Sequence, residues 1–283
     1  MSNTTAAPYP PYVSNKPAAA VLASLVGISL IAWVIQSIQT RFNPRRPMIL
    51  ILLSHLTIFI ELILRASLST ETHNSRAALT TTQVLLAVGQ RTIILANYDL
   101  LTQVDETKTR RTRAIIIGSM VTAISSAILT IPAGALAYTP GKLGQSFQLR
   151  QAAAAMVLCM TVLFYPIWYA TKTIKRMTKL AIILLAISSF TSVVVAVYLQ
   201  ITSVPKYYII TKQNEYWYYI FQLTPIVIAQ FTWTILHPKR SIVKIPKTKE
   251  EIPEVKYENP EVKYETSDSK EKIMEDIDVS SRL

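Results

Sequence analysis

Residues 180–202 read LAIILLAISSFTSVVVAVYLQIT and contain no charged side chain. The hydrocarbon core of a bilayer is about 30 Å thick, and a helix needs about 20 apolar residues to cross it. Because lipid offers no partner for a free backbone N–H or C=O, such a run crosses as a helix that satisfies its own peptide groups. This stretch therefore predicts a transmembrane helix.

Six further apolar runs of this kind occur along the chain. Together with residues 180–202 they predict seven spans, at about residues 17–38, 48–64, 79–104, 114–136, 150–171, 180–202 and 216–236. The composition agrees, because 16% of the residues are charged, whereas soluble domains average about 25%. The sequence therefore predicts an all-α fold, a polytopic membrane protein built as a bundle of seven transmembrane helices.

The basic residues between the spans predict the orientation of the bundle. Short cytosolic loops retain Lys and Arg, so the two alternate sets of connections differ in positive charge. The first, third and fifth connections with residues 239–249 hold sixteen Lys and Arg, against seven in the opposite set, which includes Arg65 and Arg150. This count predicts an N-terminus outside and a cytosolic C-terminus.

The two ends of the chain differ in composition from the spans. Residues 1–16 predict an extracellular segment without the basic start of a cleaved signal peptide, and Asn3 begins a possible N-glycosylation acceptor. Residues 239–283 are charge-dense and predict a disordered cytosolic tail. The tail repeats PEVKYE at residues 253–258 and 260–265, so it is either a solvated linker or a site for a cytosolic partner or the ubiquitin machinery.

Several functional classes are disfavoured by what the sequence contains. The net charge of +12 could suggest nucleic-acid binding, but these charges punctuate long apolar runs, so we expect no nucleic-acid partner. The single cysteine, Cys159, and three distant histidines give no metal-ligand spacing, so no metal is expected. With no phosphate-binding glycine loop or hydrolase elbow either, the sequence predicts neither an enzyme nor a bound cofactor.

Few ionisable residues lie inside the predicted spans, and each one suggests a functional site because burial in lipid is costly. Glu61 and Arg65 are four residues apart in the second span and so share one helix face. Arg91 lies near the middle of the third span, at a depth similar to that of Glu61. Glu61 could therefore pair with Arg65 or with Arg91, either as a structural clamp or as part of a polar headgroup site.

The third span is also the most polar. Gln83, Gln90 and Asn97 recur every seven residues and so fall along one face of the helix. This face should point into the bundle, where the amides either form hydrogen bonds between helices or line a polar path. The candidate substrate-binding residues are Glu61, Arg65, Gln90, Arg91, Asn97, Tyr98 and Gln222.

A seven-span chain with an outside N-terminus could also be a receptor. The large receptor class has an outer disulfide, which one cysteine cannot form within the chain, and an Asn-Pro-x-x-Tyr element, where the seventh span here reads Leu223-Thr224-Pro225-Ile226. A retinal protein needs a lysine in that span, and residues 216–236 contain none. A divergent receptor-like sensor stays open as the alternative.

Residues 215–225 read EYWYYIFQLTP, and His237-Pro238 follows at the end of the same predicted span. Mainly through these residues the chain resembles a divergent member of the fungal lipid-translocating exporter family, the seven-span group linked to aminocholesterol resistance and sphingoid-base export. Weaker similarity lies in Glu61 with Arg65, in Ala96-Asn97-Tyr98 and in Tyr9-Pro10-Pro11.

The resemblance implies a plasma-membrane protein that exports amphipathic, lipid-type molecules such as a sphingoid base or a sterol-like compound and confers resistance. Its partners would be membrane lipids and the amphipathic ligand, and the sequence does not indicate an oligomeric state. One departure matters, because residues 187–193 read ISSFTSV where the family carries an Arg-rich, Glu-containing motif. The identity of the substrate therefore does not follow from the resemblance.

Overall fold

The computed structural model describes residues 15–69, 72, 75–104, 110–171, 173, 177–235 and 237. Asn3, residues 1–14 and the tail of residues 239–283 with its duplicated segment lie outside the described residues.

The described part of the chain is built from helices. Six of its helices are long and apolar enough to cross a membrane, which indicates an integral membrane protein. They are α1 (Lys16–Gln39), α2 (Arg45–Ser67), α3 (Arg76–Val104), α4 (Arg110–Leu136), α5 (Leu143–Ala170) and α6 (Lys179–Thr202). Large apolar side chains are exposed along these helices, for example Val21, Ile28 and Ile31 on α1 and Ile128 on α4. Apolar side chains that face outward suit lipid rather than water.

Several helices begin earlier than the apolar pattern predicts, because hydropathy marks the part of a helix that lies in hydrocarbon and not its polar ends. The clearest case is α5, which begins at Leu143 rather than at Arg150. Arg150 therefore lies inside a helix. A short helix, α7 (Pro205–Gln213), also forms where the sequence predicts only a connection, and Pro205 suits its first turn because the fixed φ of proline is already helical.

The last helix has three consecutive parts, α8 (Glu215–Tyr218), a π-helical segment (Tyr219–Leu223) and α9 (Thr224–Ile235). Pro225 has no backbone N–H, so the carbonyl of Phe221 loses its ordinary α-helical donor. The wider π turn absorbs this change, and the N–H of Thr224 bonds to the carbonyl of Tyr219. Each part alone is too short to cross a bilayer.

Helices α2 and α3 approach each other closely at Gly89. A Cβ placed on Gly89 would lie 2.7 Å from Cδ1 of Ile58 and 2.9 Å from Oγ1 of Thr57. The hydroxyl of Ser54 donates to the Gly89 carbonyl at 2.8 Å. The missing side chain thus allows a contact that fixes the position of the polar face of α3.

Candidate ligand cavity

A cavity of about 210 Å³ lies between the helices. One face of α3 forms much of its wall, because the positions that line it recur at helical spacing: Leu79, Thr82, Gln83, Leu86, Ala87, Gln90 and Arg91. The other wall residues come from α2, from α4 to α7, from the last helix and from Ser203 just after α6: Arg65, Thr130, Arg150, Ala153, Ala154, Tyr198, Leu199, Thr202, Ser203, Tyr208, Thr211, Tyr218 and Gln222. The wall therefore combines apolar surface with a small set of polar and charged groups.

All of this wall belongs to one half of the bundle. Arg65 comes from the end of α2, Thr130 from the last third of α4 and Thr202 from the end of α6. Arg150 comes from the first third of α5, and Gln222 from the early part of the last helix. Since α3 contributes its first half, the cavity runs from one end of the bundle to about mid-depth.

Arg91 closes the deep end of the cavity and is 4% exposed. Its Nε donates to the hydroxyl of Ser126 on α4 at 2.6 Å, and its Nη2 donates to the carbonyl of Ser126 at 3.1 Å. Its Nη1 donates to the carbonyl of Ala87, one turn earlier in α3, at 3.0 Å. A guanidinium has five N–H donors, so two remain after these bonds.

Gln90 lies next to Arg91 on the cavity wall and is 2% exposed. Neither its amide nitrogen nor its amide oxygen has a hydrogen-bond partner among the described residues. A buried amide without partners costs about 1–3 kcal/mol, so this side chain is poised to bind a polar group.

Arg150 lies on the part of the wall that α5 contributes, with its guanidinium 4.7 Å from the ring centroid of Tyr208 and 6.0 Å from that of Phe147. Burial and the neighbouring Tyr208 raise the pKa of the Tyr138 hydroxyl, and the positive charge of Arg150 partly offsets this rise. Tyr138 therefore stays neutral at physiological pH. It does not offset the positive charge of Arg150.

Arg65 forms the third positive group on the wall and belongs to an ion-pair cluster, the Arg65 clasp, which comprises Asn15, Glu61, Arg65 and Glu215. Nε of Arg65 donates to Oε1 of Glu61 at 2.8 Å, and Nη1 of Arg65 donates to Oε1 of Glu215 at 3.2 Å. The second oxygen of Glu215 accepts the backbone N–H of Asn15, which caps α1. The clasp thus joins the start of α1, the end of α2 and the start of the last helix.

These contacts decide between the two pairings that the sequence allows for Glu61. Glu61 pairs with Arg65, since both project from one face of the same helix. Arg91, which the sequence places at a similar depth, bonds to Ser126 instead. Of the seven candidate residues, the structure brings Arg65, Gln90, Arg91 and Gln222 to the cavity wall, with Glu61 bonded to Arg65.

Asn97 and Tyr98, the remaining candidates, are not among the residues that line the cavity. The Asn97 carbonyl oxygen accepts a bond from the hydroxyl of Ser188 at 2.9 Å, and the Tyr98 hydroxyl donates to the carbonyl of Met160 at 2.8 Å. Both residues therefore join α3 to neighbouring helices. Each hydrogen bond satisfies a group that lipid could not, and the binding role of both residues stays a prediction.

The sequence did not single out Arg150, Tyr198 or Tyr208 as site residues. The apolar run begins after Arg150, so the sequence groups this residue with the loop charges. The signal that could have found it is residues 143–149, LGQSFQL, which contain no helix-breaking residue after Gly144 and so allow the helix to extend upstream. The two tyrosines belong to the aromatic-rich end of the bundle, where anchoring at the headgroup level is the common role.

Of the described residues that line the cavity, three are arginines and none is acidic. The described residues thus form a helical bundle of membrane-protein type with an arginine-lined cavity in one half. Comparison with known proteins found no matching family, no matching curated protein and no matching solved structure.

Proposed function

We propose that this protein binds amphipathic, lipid-type molecules and carries them between the two leaflets of a membrane, without acting as an enzyme. The observation that supports this proposal is the cavity, in which charged and polar groups lie beside an apolar wall inside a membrane-type bundle. A wall of this kind suits a ligand with one polar end and one apolar end.

The size of the cavity favours a headgroup rather than a whole lipid. Pockets for complete small-molecule ligands measure about 300–1,000 Å³, whereas this cavity measures about 210 Å³. In the proposed mechanism the headgroup occupies the cavity and the tail stays in the surrounding hydrocarbon. Only the polar part of the ligand then has to be shielded during crossing.

The proposed topology has seven spans, with the last helix as the seventh. Its parts follow one another from Glu215 to Ile235, and at about 1.5 Å per residue they would together reach about 30 Å. The Lys and Arg count puts the cavity half of the bundle outside and the tail in the cytosol. The cavity would then admit molecules from the outer leaflet or release them there, and we propose the plasma membrane as its location.

The resemblance to lipid-translocating exporters is a second source of support. Glu61, Arg65 and Glu215, three of the residues that carry it, belong to one cluster, the Arg65 clasp, beside the cavity. Residues distant in sequence that meet beside a cavity suit a shared functional role. Arg65 itself lies on the cavity wall.

Reconstitution into liposomes tests the proposal. A lipid analogue with a fluorescent NBD group on its tail is placed in both leaflets, and dithionite bleaches only the group that it can reach from outside. We expect the wild-type protein to expose the inner-leaflet probe faster than protein-free liposomes do, with or without an imposed proton gradient. If liposomes with and without protein lose the inner-leaflet signal at the same rate, both with and without the gradient, translocation is excluded.

Cavity-filling variants test whether the flux uses this cavity. Ala154 lies on the cavity wall and is 5% exposed, whereas Ala155, the next residue of α5, is exposed. Ala154→Phe should remove most of the flux, and Ala155→Phe should retain it. Equal flux from two variants that elute as folded protein would place the route elsewhere.

A receptor-like sensor is the second candidate, and the Arg65 clasp is the observation that favours it. A ligand that touches Arg65 would act on a group bonded to Glu215 at the start of the last helix, which leads to the tail. This function predicts ligand binding without flux, together with altered accessibility of residues 239–283 to protease. Flux at the wild-type cavity would favour translocation instead.

A further inference from the structure

The ion pairs of the described residues leave two of the three cavity arginines without a carboxylate. Arg65 has two carboxylate partners, Glu61 and Glu215, and the third described pair, Arg46 with Asp99, lies elsewhere. Arg91 bonds to neutral groups on α3 and α4, and Arg150 lies against aromatic rings. Even with both clasp carboxylates included, these three arginines leave a net charge of +1.

A buried guanidinium without a counter-charge is costly in a membrane. Insertion of an Arg at mid-span costs about 2.5–3.5 kcal/mol, and Arg91 lies near the middle of α3. Hydrogen bonds to Ser126 and Ala87 satisfy three of its donors but leave its charge uncompensated. An anion in the cavity would supply the missing charge.

The remaining donors are arranged to hold such an anion. Two N–H groups of Arg91 are left over, the Gln90 amide beside it has no partner among the described residues, and Arg150 faces the same space. Guanidinium groups bind phosphate and carboxylate oxygens through paired N–H donors. A primary ammonium group would instead meet the positive charges of Arg91 and Arg150 on the same wall.

We infer that the cavity binds an anionic headgroup, a phosphate or a carboxylate, carried on a lipid tail, and disfavours cationic amphiphiles. Arg91 and Gln90 hold the headgroup from the α3 side, and Arg150 holds it from α5. This inference rests on the proposed function, which requires only an amphipathic ligand. It goes further by fixing the charge of the headgroup and naming the residues that select it. It also departs from the sphingoid base that the resemblance implies, because a sphingoid base carries a primary ammonium group.

Matched amphiphiles with one tail length test the inference. The full chain in nanodiscs of neutral lipid is titrated with dodecyl phosphate, dodecylammonium, dodecyl maltoside and inorganic phosphate, with empty nanodiscs as the blank. We expect dodecyl phosphate to bind about tenfold or more tighter than dodecylammonium, a difference of about 1.4 kcal/mol. Inorganic phosphate should bind more weakly than dodecyl phosphate because it lacks the tail.

Variants assign the preference to the cavity. Arg150→Gln should lower the affinity for dodecyl phosphate several-fold, and Arg150→Lys should restore part of it. Gln90→Leu should also weaken binding, because it removes the amide and leaves the bonds from Arg91 to Ser126 in place. Arg45→Gln is the control, since Arg45 is exposed at the start of α2 and does not line the cavity.

The outcomes separate this inference from the proposed function. Binding of dodecylammonium as tight as that of dodecyl phosphate, or a preference that Arg150→Gln leaves unchanged, would overturn the anionic site while lipid flux could still occur. Equal affinity for inorganic phosphate would support the anion site but overturn its assignment to a lipid. Flux equal to that of protein-free liposomes would overturn the proposed function, whatever the headgroup preference.

Discussion

At the scale of single residues, the charges inside the bundle have distinct tasks although they look alike in the sequence. Arg65 is neutralised within the clasp by Glu61 and Glu215. Arg91 is held by Ser126 and keeps its charge available to the cavity. The clasp is therefore expected to determine stability, and Arg91 to determine ligand binding.

The two carboxylates of the clasp should differ in their effect on stability. Glu61 is fully buried and accepts two hydrogen bonds from Arg65. Glu215 is slightly more exposed, and its described bond from Arg65 is 3.2 Å long. Glu61→Gln should lower the free energy of unfolding by about 3 kcal/mol, since it breaks a buried pair. Glu215→Gln should lower it less, because Arg65 keeps Glu61. Titration of micelle-bound protein with SDS measures both, and the reverse order would contradict the geometry.

The sequence identifies most of these charged residues but not their partners. Glu61 and Arg65 are recognisable as a pair because i,i+4 spacing is a local property of a helix. The bond from Arg91 to Ser126 and the clasp contact with Glu215 depend on how distant helices pack, and spacing carries no information about that. Asn97 and Tyr98 show the same limit, since polar residues on an inward face serve packing and binding equally well.

At the scale of elements, the contact between α2 and α3 positions the polar wall of the cavity. It depends on the absence of a side chain at Gly89, where the backbone of α3 meets Ile58 and Thr57. Ser54 then bonds directly to the Gly89 carbonyl. The polar face of α3 is thereby held next to the helix that carries the clasp.

Alanine at two glycines should have opposite effects. Gly89→Ala should destabilise the protein by about 1–3 kcal/mol, since overpacking forces a buried contact apart. Beyond the adjacent residues and the nearby backbone of α4 itself, no described atom lies within 4 Å of a Cβ placed on Gly118. Gly118→Ala should therefore stabilise α4 by about 0.5–1 kcal/mol, because alanine has the better helix propensity. The two melting temperatures in detergent should therefore shift in opposite directions, and equal shifts would show that the close approach is unimportant.

The π segment should depend on Pro225. Pro225→Ala restores the missing donor, so the segment should tighten into an α-helix and rotate Gln222 by about 100° relative to α9. In a Cys159→Ser background, Gln222→Cys should react with a water-soluble maleimide, and Pro225→Ala should slow that reaction. Thr202→Cys, which lies on the cavity wall from α6, is the control and should be unaffected. If Pro225→Ala leaves the maleimide reaction rate of the cysteine at position 222 unchanged, the π turn does not depend on the proline.

The elements differ in how well the sequence predicts them. Long apolar runs predict α1 to α6 because hydrocarbon leaves the backbone no alternative to a helix. Helix ends such as Leu143 are harder to predict, since polar residues beyond the hydrocarbon continue a helix without an apolar signal. A proline in the seventh span predicts a disturbance, but whether it becomes a kink or a π turn depends on packing.

At the scale of the whole molecule, the number of crossings decides where the two termini lie. If the last helix crosses, the termini lie on opposite sides, and if only α1 to α6 cross, they lie on the same side. We expect an epitope tag before Met1 to be stained on intact cells and a tag after Leu283 to be stained only after permeabilisation. Staining of both tags on intact cells, or of neither, would contradict the seven-span proposal.

If the cavity holds the headgroup of a lipid-type molecule, photocrosslinking should identify the residues that contact it. A dodecyl phosphate with a photoreactive diazirine next to the headgroup is bound to the protein in nanodiscs, and the crosslinked residues are mapped by mass spectrometry. We expect crosslinks concentrated on cavity-wall residues of α3, α5 and α6, and their loss in Arg91→Gln/Arg150→Gln protein that retains its fold. Crosslinks spread over the lipid-facing residues of α1 and α4, unchanged in the variant, would contradict it.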